Sequence, residues 1–239
     1  MRYVWATGTH QGRIRDRNED SVYPETSGAG NGPLVIGVAD GMGGHVAGNI
    51  ASSVAIATAT EASPDSDIEM VERLASANEA ILERVREQQE LSGMGTTMTL
   101  GRFLEDGTFE FAHVGDSRCY LVRDGELRQL STDHTVVAEL VALGHLKPED
   151  VDKHPQRHLV TRTLGLGPVK IDSDTLSLDD GDRLMFCSDG LTSMVDNEGI
   201  RRIVTAGDDP EATIWNLIEA ANTAGGVDNI TVAMVDATA

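Results

Sequence analysis

Four aspartates in this 239-residue chain stand where a bare carboxylate is costly. Asp40 ends the run "LVIGVAD" and Asp189 ends "RLMFCSD", both almost wholly apolar. Asp116 lies just beyond the run "FEFAHV", and Asp228 just before "NITVAMV". A carboxylate at the end of a buried strand is unfavourable unless it is paired or binds a cation. One such aspartate is most simply a turn or capping residue. Four of them, far apart in sequence, converge if their strands are neighbours, and they then repel one another unless cations neutralise them. All-oxygen ligation selects hard ions, Mg²⁺ or Mn²⁺, over zinc.

Context separates these sites from ordinary turns. The chain has five Asp-Gly pairs. Asp106-Gly107 in "FLEDGTFE" and Asp124-Gly125 in "LVRDGELR" sit between short strands with polar flanks and predict hairpins. Asp180-Gly181 in "SLDDGDRL" predicts a loop turn leading into a strand. Only Asp40-Gly41 and Asp189-Gly190 follow fully apolar runs.

The elements that must hold these residues are legible from periodicity. Strands are predicted over 3–8, 34–39, 96–101, 109–114, 119–123, 183–188 and 230–235. "FEFAHV" alternates like a half-buried strand, whereas "LVIGVA" and "LMFC" are apolar throughout and predict cover on both faces. Ile68, Val71, Leu74, Ala75, Asn78, Ile81, Leu82 and Val85 mark a helix across 67–89. An Ala- and Ser-rich helix is predicted over 46–60, and Pro210 behind Asp209 opens a third. Long helices beside hairpin-linked strands predict an α+β fold built on antiparallel sheets with covering helices. The least regular stretch, 144–174, is long enough to be functional or mobile.

Composition narrows the function. A formal net charge of −20 leaves no basic patch for nucleic acid and disfavours an anionic membrane. It gives a self-repelling, soluble surface or a field that concentrates divalent cations. No secretory h-region and no apolar run of spanning length is present. Cys119 and Cys187 lie inside apolar runs and fit a reducing compartment. The chain therefore reads as cytoplasmic, or as the soluble catalytic part of a longer tethered protein.

At this point eight ordered stretches carry a resemblance. They are "GRIRDRNEDS" (12–21), "VADGMGGHVAG" (38–48), "GMGTTMT" (93–99), "HVGDSRCYL" (113–121), "TDHT" (132–135), "HPQRHLVTRTLG" (154–165), "LMFCSDGLT" (184–192) and "DNITV" (228–232). Together the chain resembles the metal-dependent protein phosphatases of the protein phosphatase 2C type, in their bacterial serine/threonine branch. The resemblance implies one catalytic domain over 1–239: a four-layer α-β-β-α sandwich of two antiparallel sheets, with a metal cluster at one edge. It implies two Mn²⁺ or Mg²⁺ ions held by Asp40, Asp189, Asp228 and the Gly41 carbonyl. Glu19 and Asp20 would hold metal-bound waters, and Asp116 would serve a weaker third ion. Arg15 would bind phosphate, with Arg13 and Arg17 as nearby competitors that spacing alone does not exclude. The implied reaction is hydrolysis of phosphoserine or phosphothreonine on proteins by hydroxide generated between the ions. The implied enzyme is a monomer opposing a bacterial serine/threonine kinase, with a flap at about 144–165 that helps choose substrates.

Two departures from the family pattern stand out. Met42 occupies the position where some relatives place a proton-donating histidine, so His45 is the nearest histidine for that role. Ser193 stands where many relatives carry an acidic residue, which weakens the expected third site. His154 and His158 are four apart, but Pro155 breaks any helix that would aim both at one metal. Other chemistries lack their residues: neither cysteine has an arginine six positions on, and the glycines after Asp40 lack the P-loop lysine. The alternative from another class is a catalytically impaired phosphoprotein-binding module on the same fold.

Overall fold

A computed structural model of the chain describes residues 1–43, 47–207 and 209–239. The strands are β1 (Arg2–His10), β2 (Asp20–Tyr23), β3 (Gly28–Asn31), β4 (Leu34–Met42), β5 (Gly95–Thr96), β6 (Met98–Phe103), β7 (Thr108–Val114), β8 (Arg118–Arg123), β9 (Glu126–Gln129), β10 (Asp172–Ser177), β11 (Arg183–Cys187) and β12 (Ile230–Thr238). The α-helices are α1 (Gly48–Glu61), α2 (Met70–Glu87), α3 (Val136–Ala142), α4 (Asp189–Thr192), α5 (Asn197–Ala206) and α6 (Pro210–Thr223). Short 3₁₀ helices cover Gln89–Leu91 and Pro148–Lys153.

The strands form two antiparallel sheets. One runs in the order β3-β1-β12-β11-β8-β9, the other β10-β7-β6-β4-β2, with β5 paired to β4. The continuously apolar runs are explained by which core each side chain enters. In β4, Leu34, Ile36 and Val38 face the other sheet, while Val35 and Ala39 pack under helices. In β11, Leu184 and Phe186 enter the space between the sheets, while Met185 and Cys187 pack on the opposite side. Period-2 alternation thus persists, but both faces are dry, so no polar residue marks it.

Three cores follow, and with them four layers. All four phenylalanines, Phe103, Phe109, Phe111 and Phe186, lie between the sheets with Tyr3. Each such side chain contributes about 1.5–3 kcal/mol by burial. On one outer face Ala47, Ala51, Ala55 and Ala59 give α1 a thin side that packs on β4 and α2. On the other, Ile214, Leu217, Ile218 and Ala221 of α6 cover β1 and β12. The hairpins predicted at Asp106-Gly107 and Asp124-Gly125 join β6 to β7 and β8 to β9, and Asp124 and Gly125 both take positive φ.

Antiparallel pairing carries the functional consequence. The end of one strand lies beside the start of its neighbour, so β4, β7 and β11 end at the same edge where β2, β8 and β12 begin. Asp40, Asp116, Asp189, Asp228 and Asp20 all fall at that edge.

Candidate active site

The site is built from main chain outward. Across the β2–β4 pair Asp20 lies directly opposite Asp40. Like charges so placed are unfavourable unless something compensates. At Asp40 the ladder to the next strand is modified in a way that fixes the residue. The Thr97 N–H donates to the Asp40 carbonyl at 2.9 Å, but the Asp40 N–H turns to the Thr97 hydroxyl at 3.0 Å. The Thr96 hydroxyl also donates to the Asp40 carbonyl, at 2.8 Å. This is why the strand predicted over 96–101 is divided into β5 and β6.

Asp20 is buried, with one carboxylate oxygen accepting from the hydroxyls of Ser188 (2.8 Å) and Thr231 (2.6 Å). Its other oxygen is buried without a hydrogen-bond partner. Asp189 is the first residue of α4, directly after β11, and Asp228 precedes β12. Asp116 is buried in the turn between β7 and β8. Burial, then repulsion from Asp20, Asp189, Asp116 and Asp228, pushes the Asp40 carboxyl well above the ordinary carboxylate range. Burial and neighbouring carboxylates push Asp20 up to about 7, against its hydroxyl donors, and Asp116 up to about 8. Asp189 is raised by burial and by Asp228, with Asp40, His158 and Arg15 opposing.

Arg15 stands at the rim. Its guanidinium donates to Asp228 at 2.6 Å and is half exposed. Arg13 instead faces Glu219 at 3.9 Å, and the Arg17 carbonyl is taken by Asn229. Arg15 thus reaches an aspartate of the cluster, whereas Arg13 points to Glu219.

Gly41 and Gly48 show how little room the backbone leaves. A Cβ on Gly41 would lie 2.1 Å from the Gly48 carbonyl oxygen. A Cβ on Gly48 would lie 2.8 Å from the Gly41 carbonyl oxygen and 2.9 Å from the Glu19 carboxyl carbon. Two kinds of oxygen donor thus border one small space that only glycine leaves open. With an unpartnered Asp20 oxygen and four carboxylates that resist ionisation, the donor set fits hard divalent ions. The cluster is open, however: among the described residues, no three acidic, His or Cys side chains form a closed coordination group by themselves.

A cleft of about 730 Å³ extends from Asp116 and Asp189, lined further by Arg118, Arg157, His158 and Met194. His158 thus faces the site across this cleft, and Ser193 lines it too. His154 lies at the end of the 3₁₀ helix Pro148–Lys153. His45 lies outside the described residues.

Some structural participants carried no signal of their own in the sequence. Asn229 is buried and stitches the loop that holds Arg15 and Glu19. Its amide donates to the carbonyls of Gln11 and Arg17, both at 2.8 Å, and its carbonyl accepts from the Glu19 N–H at 2.8 Å. Thr97, Ser188 and Thr231 belong with it. All four lie inside quoted stretches, Thr97 in "GMGTTMT", Ser188 in "LMFCSDGLT" and the other two in "DNITV", so position within a motif was the available clue.

An acidic, oxygen-only centre at the shared edge of two face-to-face sheets, with one arginine at its rim, defines a class of site for hard cations and anionic esters. Comparison with known proteins agrees. The family model described as Protein phosphatase 2C matches residues 7–207. Protein phosphatase PhpP of Streptococcus pneumoniae is 37% identical over 235 residues, covering 95% of this chain and 94% of PhpP. Serine/threonine protein phosphatase PstP of Mycobacterium tuberculosis is 38% identical over 237 residues, covering 97% of this chain and 44% of PstP. The crystal structure of the PstP catalytic domain in complex with two manganese ions matches with a TM-score of 0.89 and 34% identity over the full length of both chains. The chain belongs to the protein phosphatase 2C family.

Proposed function

We propose that the protein is a Mn²⁺- or Mg²⁺-dependent serine/threonine protein phosphatase that hydrolyses phosphoserine and phosphothreonine on proteins. The observation that carries this reading is the convergence of aspartates from separate strand ends beside Arg15. Asp40, Asp189, Asp228 and the Gly41 carbonyl would hold two ions, Glu19 and Asp20 their waters, and Asp116 a weaker third ion. When bound, the ions would acidify a water and stabilise the entering and leaving oxygens of an in-line displacement.

The chain's own residues do the rest. Arg15 exchanges its exposed hydrogen bond to Asp228 for a bidentate grip on the phosphoryl oxygens, orienting the ester. Asp20, held by Ser188 and Thr231, accepts a hydrogen bond on its free oxygen and fixes the direction of whatever donates it. The cleft beyond Asp189 receives the polypeptide on one side of the phosphorylated residue, and segment 144–165 acts as a flap over it. Two buried free thiols fit a reducing, cytoplasmic setting. No described helix is long and apolar enough to cross a membrane. The substrates would be the products of a serine/threonine kinase that this enzyme opposes. Turnover of p-nitrophenyl phosphate and of a phosphothreonine peptide with Mn²⁺, lost in EDTA, is the expected result. No metal-dependent turnover would overturn the enzymatic reading.

A further inference from the structure

The stretch "TDHT" and the arm that returns from the flap meet at one buried side chain, His134. Its ring Nδ1 accepts the Gly115 N–H at 3.1 Å, and the His134 main-chain N–H donates to the Gly115 carbonyl at 2.8 Å. Gly115 has φ of +112° and immediately precedes Asp116, so both main-chain groups of this left-handed turn residue are held by His134. The same turn leans on Thr97, whose hydroxyl takes the Asp40 N–H and bonds the Ser117 hydroxyl at 2.7 Å.

The tautomer follows from these partners. Because Nδ1 accepts, the proton sits on Nε2, which donates to Asp172 at 3.1 Å. Burial favours the neutral ring. Arg162 lies 3.1 Å from Nε2, but two donors do not bond each other, so its partner is the second Asp172 oxygen at 3.2 Å. The His113 ring packs against His134 with centroids 4.8 Å apart and is itself held by Thr99 and the Thr132 carbonyl. The imidazole therefore has no freedom to rotate away.

The other side of the contact is the returning arm of the flap. The His134 carbonyl accepts the Thr161 N–H at 2.7 Å, and the Val136 N–H donates to the Leu159 carbonyl at 3.0 Å. Leu164 exchanges both main-chain bonds with Thr96, and the Gly165 N–H donates to Asn78. A short chain of hydrogen bonds thus runs from Arg162 through Asp172 and His134 to the Asp116 turn.

We propose that His134 is a positioning residue: through Gly115 on one side and through Asp172 and Arg162 on the other, it fixes the Asp116 turn to the returning arm of the flap. Asp172 is the place to perturb it, because it lies on edge strand β10, is partly exposed, and pairs with His134, Arg162 and Lys170. The consequence for metal rests on the reading of Asp116 as a ligand; the consequence for the turn does not.

The test compares wild type with Asp172→Ala, Arg162→Ala and the conservative Asp172→Asn. In the Mg²⁺-loaded protein, exchange of the Gly115 amide is measured by NMR. It should quicken by about tenfold in Asp172→Ala, and by a smaller, similar factor of about threefold in Arg162→Ala and Asp172→Asn, which both keep an acceptor for Nε2 but lose the Arg162 bond. The Mn²⁺ concentration for half-maximal turnover should rise about three- to tenfold in Asp172→Ala and by less in Arg162→Ala and Asp172→Asn, since this link lies one step further out than a direct ligand partner. Wild-type exchange at Gly115 in Asp172→Ala would overturn the proposal; quickened exchange with an unchanged Mn²⁺ requirement would support the link and overturn the reading of Asp116 as a ligand. Loss of metal-dependent turnover in wild type itself would instead fall on the function proposed above.

Discussion

Replacing Asn229 by alanine should damage the enzyme more than its position, outside the acidic cluster, suggests. The side chain makes three 2.8 Å hydrogen bonds, to the carbonyls of Gln11 and Arg17 and from the Glu19 N–H. A buried main-chain group left unpaired costs about 1–3 kcal/mol. Much of the loop from Gln11 to Arg17 is exposed, so water recovers part of that, leaving about 2–3 kcal/mol in all. For a protein of this size each kcal/mol moves Tm by roughly 2–4 °C, giving a fall of about 5–10 °C. The released loop carries Arg15 and Glu19, and misplacing such groups by about 1 Å costs on the order of 100-fold in kcat/KM. Asn229→Asp should be no better, since it keeps the acceptor for Glu19 but sets oxygen against two carbonyls. Thermal melts and phosphopeptide kinetics measure both effects. An Asn229→Ala protein with wild-type Tm and kcat/KM would refute this account of the loop.

Three further outcomes are expected. Gly48→Ala should gain about 1 kcal/mol in helix propensity, yet its Cβ would press on the Gly41 carbonyl and Glu19; the Mn²⁺ requirement should rise about tenfold or more, and a wild-type requirement would contradict the cradle. Arg15→Ala should lower kcat/KM by about 10- to 100-fold through lost charge-assisted bonds, and unchanged kinetics would remove Arg15 from phosphate binding. In metal-free protein, Asp20 and Asp116 are raised to about 7 and about 8, above the unfolded value of about 3.9. The native state then holds more protons than the unfolded one, so their contribution is present at low pH and lost as pH rises through 7 to 8. Tm in EDTA should therefore fall between about pH 5.5 and 8, and Mn²⁺ should abolish the fall; a metal-free Tm that rises over this range would contradict it.

How much of this was legible in the sequence depended on what each residue was doing. Asp40 and Asp189 stand out because a carboxylate closes an apolar run, and antiparallel pairing then brings those ends together. The helix predicted over 67–89 is α2, somewhat shortened, because its buried stripe is regular. Strands β2, β3 and β10 were not legible, and β9 was so only as the second arm of the hairpin predicted at Asp124-Gly125. They are short or polar edge strands, and β3 is "GAGN", whose glycines make room for the Trp5 ring: a Cβ on Gly28 would sit 2.5 Å from it. The break between β5 and β6 was hidden for another reason. Thr97 looks like any strand threonine until its hydroxyl is seen to replace a ladder carbonyl. Arg15 could not be told from Arg13 and Arg17 by alternation, because residues 11–19 form an irregular loop in which Arg13 turns to Glu219 and Arg15 to Asp228.

In the proposed enzyme the strand-end aspartates form one divalent-metal site that drives phosphoester hydrolysis. Calorimetric titration of the chelator-stripped protein with Mn²⁺, run beside Asp189→Ala and Asp228→Ala, tests it most directly. The account predicts two strong sites in wild type, loss of strong binding in each variant without unfolding, and loss of turnover in step. Variants that still bind two Mn²⁺ with wild-type affinity would contradict it.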